Sequence, residues 1–305
     1  MQITPMQISQ LRQSVVAVPP LARNDDFSIN KNENKKLIQY LEDGGVKTLL
    51  YGGNANFYNI SLKDFETTLS CLNEVADENT LVIPSVGPSF GFMNDQVEIL
   101  KDHSFPTVMV LPTAFAFTES GVATGIRHIA EKIQKPLVLY IKNEGYMNNE
   151  DVAKLVNDNL ISVIKYAIVR QNPERDDVLS HLVEKVNPSM IMSGIGEQPA
   201  ITHLHKYQLG GYTSGCVCIA PQQSTKMLQA LVSGEIERAE HIRKVFEPLE
   251  NLRNSINPIR VLHEAVSLAE IAETGPHYPN LSPINADQAE GIKSAADMLK
   301  HIDLI

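Results

Sequence analysis

The sequence predicts a (β/α)8 TIM barrel, an α/β fold, carrying a C-terminal helical extension. Three observations predict it. Between residues 14 and 231, eight short runs rich in aliphatic and β-branched residues alternate with eight longer polar or amphipathic segments. The runs are apolar on both faces and separated by crossover-length helices, which is what a parallel sheet covered on both sides requires. From Glu235 onward only helical periodicity continues. Eight units suggest closure into a barrel, with an open doubly wound sheet as the competing arrangement.

The first strand is read over Ser14-Val15-Val16-Ala17-Val18, followed by a helix over 31–43. The second, Lys47-Thr48-Leu49-Leu50-Tyr51, leads to a helix over 61–76, opened by Ser61 with Asp64 three positions on, a capping signal. Strand three covers 81–86 with a helix at 94–101, and strand four covers 107–111 with a helix at 119–133. Strand five, Leu137-Val138-Leu139-Tyr140-Ile141, precedes a helix over 149–156; strand six, Ile161-Ser162-Val163-Ile164-Lys165, precedes one over 173–186. Strand seven is 190–192 with a helix near 197–207, and strand eight is 212–219 with a helix over 222–231. Helices at 235–253, 258–272 and 286–303 follow, broken by the turn-rich Thr274-Gly275-Pro276-His277-Tyr278-Pro279-Asn280. The expected organisation is a barrel over 1–234 and a helical region over 235–305 packed on it.

Composition limits the function. The 305 residues are 43% hydrophobic and 20% charged with a net charge of -10, an ordinary soluble globular balance. No Trp and 6% aromatic content, with an acidic surface, argue against a nucleic-acid partner. No apolar run of membrane-spanning length and no basic leader followed by an apolar core occur, so neither a membrane nor export is expected. Cys71, Cys216 and Cys218 form no disulfide framework, and Cys216 and Cys218 are read as pointing to opposite faces of a strand; a reducing, cytoplasmic location is expected.

Barrels of this class place their chemistry at the carboxyl ends of the strands. That rule selects Gly52, Gly53, Asn54, Ala55 and Asn56 after strand two, Tyr140, Lys165, Ser193 and Gly194 with Ile195 and Gly196 after strand seven, and Gly215 with Cys216 in strand eight. Lys165 ends an apolar strand, where desolvation lowers an amine's pKa and raises its nucleophilicity, as Schiff-base chemistry needs; a lysine that has simply reached solvent gives the same pattern. Tyr140, on the neighbouring strand, is either a proton shuttle or a core tyrosine. Gly52-Gly53 frees backbone N–H groups for a carboxylate, with Asn54 or Asn56 as side-chain donors, and a plain strand-to-helix turn explains the glycines equally. Ser193-Gly194-Ile195-Gly196 is read as a second anion nest or a tight turn. No dinucleotide or Walker fingerprint and no ligand set around His203-Leu204-His205 is present, so no cofactor and no metal are expected.

Leu139-Tyr140, Ile164-Lys165 and Gly52-Gly53-Asn54-Ala55-Asn56-Phe57 together resemble the dihydrodipicolinate synthase and N-acetylneuraminate lyase superfamily, over roughly residues 12–284. The resemblance implies a Schiff-base lyase or aldolase acting on a 2-oxo acid, with Lys165 as the imine lysine and Tyr140 as its proton-transfer partner. It also implies a homodimer or homotetramer. The glycine loop is similar to that of the 5-dehydro-4-deoxyglucarate dehydratases, which makes a sugar-acid dehydratase an alternative, and a non-catalytic small-molecule binder is another. The chain departs from the synthases in having Gly53 and Asn54 in place of their threonine pair. Pro112-Thr113-Ala114 stands where they carry tyrosines, and Gly145 falls near their carboxylate-binding arginine. Authentic dihydrodipicolinate synthesis is therefore not expected.

Overall fold

A computed structural model describes residues 1–302. The eight strands are β1 (Val16–Ala17), β2 (Thr48–Tyr51), β3 (Leu81–Val86), β4 (Met109–Val110), β5 (Leu137–Ile141), β6 (Ile161–Tyr166), β7 (Ile191–Ser193) and β8 (Gly211–Ser214). All pair in parallel and in sequence order, and β1 closes on β8, so the sheet is a closed barrel and the doubly wound alternative is excluded.

Eight helices return the chain between strands: α1 (Lys31–Asp43), α2 (Leu62–Val75), α3 (Phe90–Leu100), α4 (Glu119–Ile133), α5 (Asn149–Asn157), α6 (Asp177–Lys185), α7 (Ala200–His205) and α8 (Pro221–Val232). Caps set most of their starts. Asn30, Ser61, Thr118, Asn148 and Asp176 each accept a hydrogen bond from a first-turn backbone N–H, satisfying donors the helix itself leaves open. The extension adds α9 (Ile236–Ser255), α10 (Pro258–Leu268) and α11 (Ala286–Lys300), which pack on one another, while α9 also packs on α7 and α8. Of the helix expected over 286–303, residue 303 lies outside the described residues.

Three local expectations are corrected. Strand eight stops at Ser214 instead of Ile219, because Gly215 leads into a 3-10 turn, Cys216–Cys218; both cysteines sit buried on that turn, not on alternate faces of a strand. The helix expected from Pro173 begins at Asp177, since Asp176 serves as its cap and accepts from Leu179 N–H at 3.0 Å. The helix expected from 94 begins at Phe90, after the Gly87 N–H has bonded Gln96 Oε1 at 2.7 Å.

Alternation along the strands then decides what faces inward. Tyr140 pairs with Lys165, and Lys165 with Met192, one inward-facing row across β5, β6 and β7. Tyr166 pairs with Ser193 on the opposite face, toward the helices. Among the described residues no helix is long and apolar enough to cross a membrane.

Candidate active site

Lys165 stands at the carboxyl end of β6 on the inner face, only 5% exposed, with Nζ 4.7 Å from the centre of the Tyr140 ring. Among the described residues no carboxylate is ion-paired with it. Burial, reinforced by the positive charges of Lys142 and Arg253, lowers its amine to about 7. A large fraction is therefore the free base near neutral pH, which is the nucleophilic form. Burial also pushes the Tyr140 phenol well up, helped by the neighbouring Tyr58, so this hydroxyl keeps its proton.

Both side chains open on a cavity of 220 Å³ over the strand ends. Gly53, Asn54 and Gly194 line it too, whereas Gly52, Asn56 and Ser193 do not. Gly52 points into the barrel interior, where a Cβ would sit 2.7 Å from Met109 Cε and 2.9 Å from Ser85 Oγ. Asn56 is buried in a left-handed turn at φ 56° and accepts from Asn59 Nδ2 at 2.7 Å. Ser193, expected at the ligand, faces the helices instead and its hydroxyl bonds His203 Nδ1 at 2.8 Å.

The small-residue turn after β7 serves space more than charge. The Gly194 N–H is committed to Tyr166 O at 2.6 Å, and the Gly196 N–H to Thr213 O at 3.1 Å, so these two amides cannot serve as an anion nest. A Cβ on Gly194 would come within 3.0 Å of Lys165 Cγ and 2.7 Å of Ala167 Cβ. Gly194 thus gives the lysine stem its room. After β2, the tight turn is closed by the Asn56 N–H to Gly53 O and the Phe57 N–H to Gly52 O, which leaves the Gly53 and Asn54 amides out of its own bonding. Asn54 is held from two sides: its Nδ2 donates to Val18 O at 2.8 Å, and His263 Nε2 lies 3.0 Å from its carbonyl. Since a carbonyl only accepts, Nε2 carries the proton of that histidine. Burial lowers His263 to about 3, so it stays neutral.

Among the polar residues that line the cavity, sequence reasoning missed Tyr58, Lys142, Thr213, Arg253 and Asn254. Tyr58 follows the glycine loop directly, and burial pushes its phenol up to about 12. Lys142 sits two residues past Tyr140, with Nζ 5.9 Å from the Tyr58 ring centre. Thr213 alternates inward on β8, between the outward Tyr212, whose hydroxyl bonds Ser224 O at 2.9 Å, and Ser214. For these three the strand-end rule supplied a signal. Arg253 and Asn254 come from α9 in the extension, which that rule does not reach.

The strand-end cavity in a closed parallel barrel defines the class: a (β/α)8-barrel protein with a buried lysine and phenol at the carboxyl face. The model of the dihydrodipicolinate synthetase family matches residues 12–299, and the chain belongs to that family. Membership makes it a lyase of the aldolase type. Among curated proteins no match is found. Solved structures share the fold at low identity. A dihydrodipicolinate synthase from Bacillus clausii is 21% identical with a TM-score of 0.83, over 96% of this chain and 100% of that one. The sialic acid aldolase of Ruminococcus gnavus is 16% identical with a TM-score of 0.81, over 94% and 97%. A prophage protein of E. coli K12 from the dihydrodipicolinic acid synthase family, in complex with pyruvate, is 18% identical with a TM-score of 0.80, over 94% and 98%.

Proposed function

We propose that the chain is a Schiff-base lyase or aldolase acting on a 2-oxo acid, with Lys165 as the imine-forming amine and Tyr140 as its proton-transfer partner. The observation that carries this is Lys165 itself: buried, without a carboxylate partner, lowered to about 7, and 4.7 Å from the Tyr140 ring. The amine adds to the ketone carbon, and the carbinolamine hydroxyl leaves as water with a proton from Tyr140. The resulting cationic imine accepts the electron pair of the breaking C3–C4 bond as an enamine, while the C4 hydroxyl gives its proton to the tyrosinate and departs as an aldehyde. Protonation at C3 and hydrolysis return Lys165. The same intermediates run backwards for condensation. The substrate carboxylate is received by the backbone N–H groups around Gly53 and Asn54.

Authentic dihydrodipicolinate synthesis is not proposed, because Gly53 and Asn54 offer no paired hydroxyls and Gly145 offers no guanidinium. A 2-keto sugar acid dehydratase of the 5-dehydro-4-deoxyglucarate type is the second reading, favoured by the Gly52-Gly53-Asn54-Ala55-Asn56-Phe57 loop. The substrate partner is thus a small acid, and a homodimer or homotetramer is proposed, supported by exposed aromatics around α3 and α4 such as Phe115, 82% exposed. Three buried free thiols fit the proposed cytoplasmic location.

The test is borohydride trapping with pyruvate and sugar-derived 2-oxo acids, followed by peptide mass mapping. A mass increment on Lys165, abolished in Lys165→Met, supports the reading; no increment with any of these acids overturns it. Analysis of products from trapped substrates, aldehyde against dehydrated acid, separates cleavage from dehydration. Sedimentation checks the assembly.

A further inference from the structure

The cavity carries more positive charge than an imine with a single carboxylate uses. Lys165, Lys142 and Arg253 line it, and no aspartate or glutamate does, in a chain whose net charge is -10. Among the described residues no carboxylate lies within ion-pairing distance of Lys142 or Arg253. The contacts Arg253 makes are weak: Nε–H to Pro258 O at 3.4 Å and Nη1–H to Cys216 Sγ at 3.9 Å. Arg253 lines the cavity, and a guanidinium with so few strong partners has donors to spare for an anion there.

The surroundings hold that guanidinium fork in place. A Cβ on Gly215 would lie 2.7 Å from Arg253 Nη2 and 2.9 Å from Asn54 Nδ2, so the guanidinium and the Asn54 amide converge over a backbone that carries no side chain. One turn earlier on α9, Glu250 is buried against Glu197, at 2% and 0% exposure, and its Oε1 accepts the Glu197 N–H at 2.8 Å. Each of the two carboxyls keeps one buried oxygen without a partner. Burial first, and for Glu250 the charge of Glu197 as well, raises both carboxyls against the opposing pull of Arg253, which weakens the negative charge they set beside it.

We propose that Arg253, with Lys142 and the Asn54 amide, forms a second anion subsite, and that the substrate is a short 2-oxo diacid whose far carboxylate this subsite receives. A cavity of 220 Å³, below the roughly 300–1,000 Å³ of drug-sized ligand sites, suits a chain of a few carbons. The substrate assignment rests on the reading of Lys165 as the imine lysine; the subsite does not.

Two measurements separate them. The first compares the half-saturating concentrations for borohydride trapping of 2-oxoglutarate and of 2-oxopentanoate, equal in length and differing in one carboxylate. In the unmodified protein the diacid half-saturates at a concentration about tenfold or more lower, and in Arg253→Met that ratio falls below about threefold. The ratio is the readout because removing Arg253 also changes the Lys165 amine, and this acts on both acids alike. Arg253→Lys, which keeps the charge and loses the fork, gives an intermediate ratio and covers the case in which the Met variant does not fold. The second is calorimetric binding of the same two acids to Lys165→Met, where no imine forms; tighter binding of the diacid supports the subsite even if trapping fails throughout. Equal affinity of the two acids there, or a trapping ratio that Arg253→Met leaves intact, overturns the subsite. Absence of trapping together with tighter diacid binding overturns the imine reading alone.

Discussion

Lys165 and Tyr166 are neighbours on β6 that end in opposite worlds. Tyr166 faces the helices, where its hydroxyl bonds both oxygens of the buried Asp176, at 2.9 and 2.8 Å. Asp176 further accepts from Arg170 Nη2 at 2.9 Å and from the Leu179 N–H at 3.0 Å, and Arg170 is ion-paired with Glu144 as well. Burial alone would raise Asp176, but the Arg170, Leu179 and Tyr166 hydrogen bonds overcome it and the carboxyl ends lowered. Lys165, facing the barrel interior, has no such partner, and burial dominates its titration. Of two adjacent ionisable positions, the satisfied one holds the fold and the unsatisfied one is the candidate for chemistry. Unpaired burial is what makes an amine reactive, and full pairing is what makes a carboxylate inert.

Four experiments test that contrast. The largest expected effect is on the paired side: Asp176→Ala strands a buried tyrosine hydroxyl, takes from Arg170 one of its two carboxylate partners and uncaps α6. It should cost about 3–5 kcal/mol in denaturant unfolding, while the folded fraction still traps substrate at Lys165. Loss of trapping without loss of stability would reverse the assignment of the two faces. On the reactive side, Tyr140→Phe should slow turnover by roughly 10²-fold with little change in stability, measured as kcat on whichever 2-oxo acid is trapped.

The third follows from the amine. Because Lys165 titrates near 7, the initial rate of imine trapping should rise about tenfold per pH unit below that value and level off above it. A rise that continues toward pH 10 would mean an ordinary solvated lysine. Both folded values are lowered, so each group makes stability fall as pH falls, but in a different window. The folded Lys165 value lies below the unfolded one, so its burial costs stability once pH falls below about 10 and costs most below about 7. Asp176, with a lowered folded value, stabilises above the unfolded carboxylate range and loses that contribution as acid titrates it. The smallest effect is Ser193→Ala, which leaves His203 Nδ1 without its partner. It should cost about 1 kcal/mol of stability and leave KM unchanged; a raised KM would return Ser193 to the substrate.

Much of this was legible beforehand. The strand at Ile161 to Lys165 and its neighbour at Leu137 to Ile141 stand nearly as read, because an apolar run bounded by polar segments has few other places to go. Lys165 and Tyr140 were legible because an ionisable group closing an apolar run is anomalous on its face. Ser193 and Gly194 were not distinguishable, since a strand buried on both sides carries no amphipathic asymmetry to say which residue faces inward. Cys216 and Cys218 were misassigned for a related reason: apolar residues alternate with small ones as well in a buried 3-10 turn as in a strand.

The sequence by itself determined the alternation of strand and helix, the parallel sheet it requires, and the two residues on which imine chemistry is proposed to depend. Periodicity and the cost of burying an amine are local properties, written in consecutive residues. Only the tertiary structure decided that β1 closes on β8, that Ser193 turns to His203 while Gly194 makes room for Lys165, and that Arg253 crosses Gly215 to reach the cavity. Those facts depend on which distant segments meet, and contact between remote parts of a chain is fixed by closure and packing, which no local pattern records.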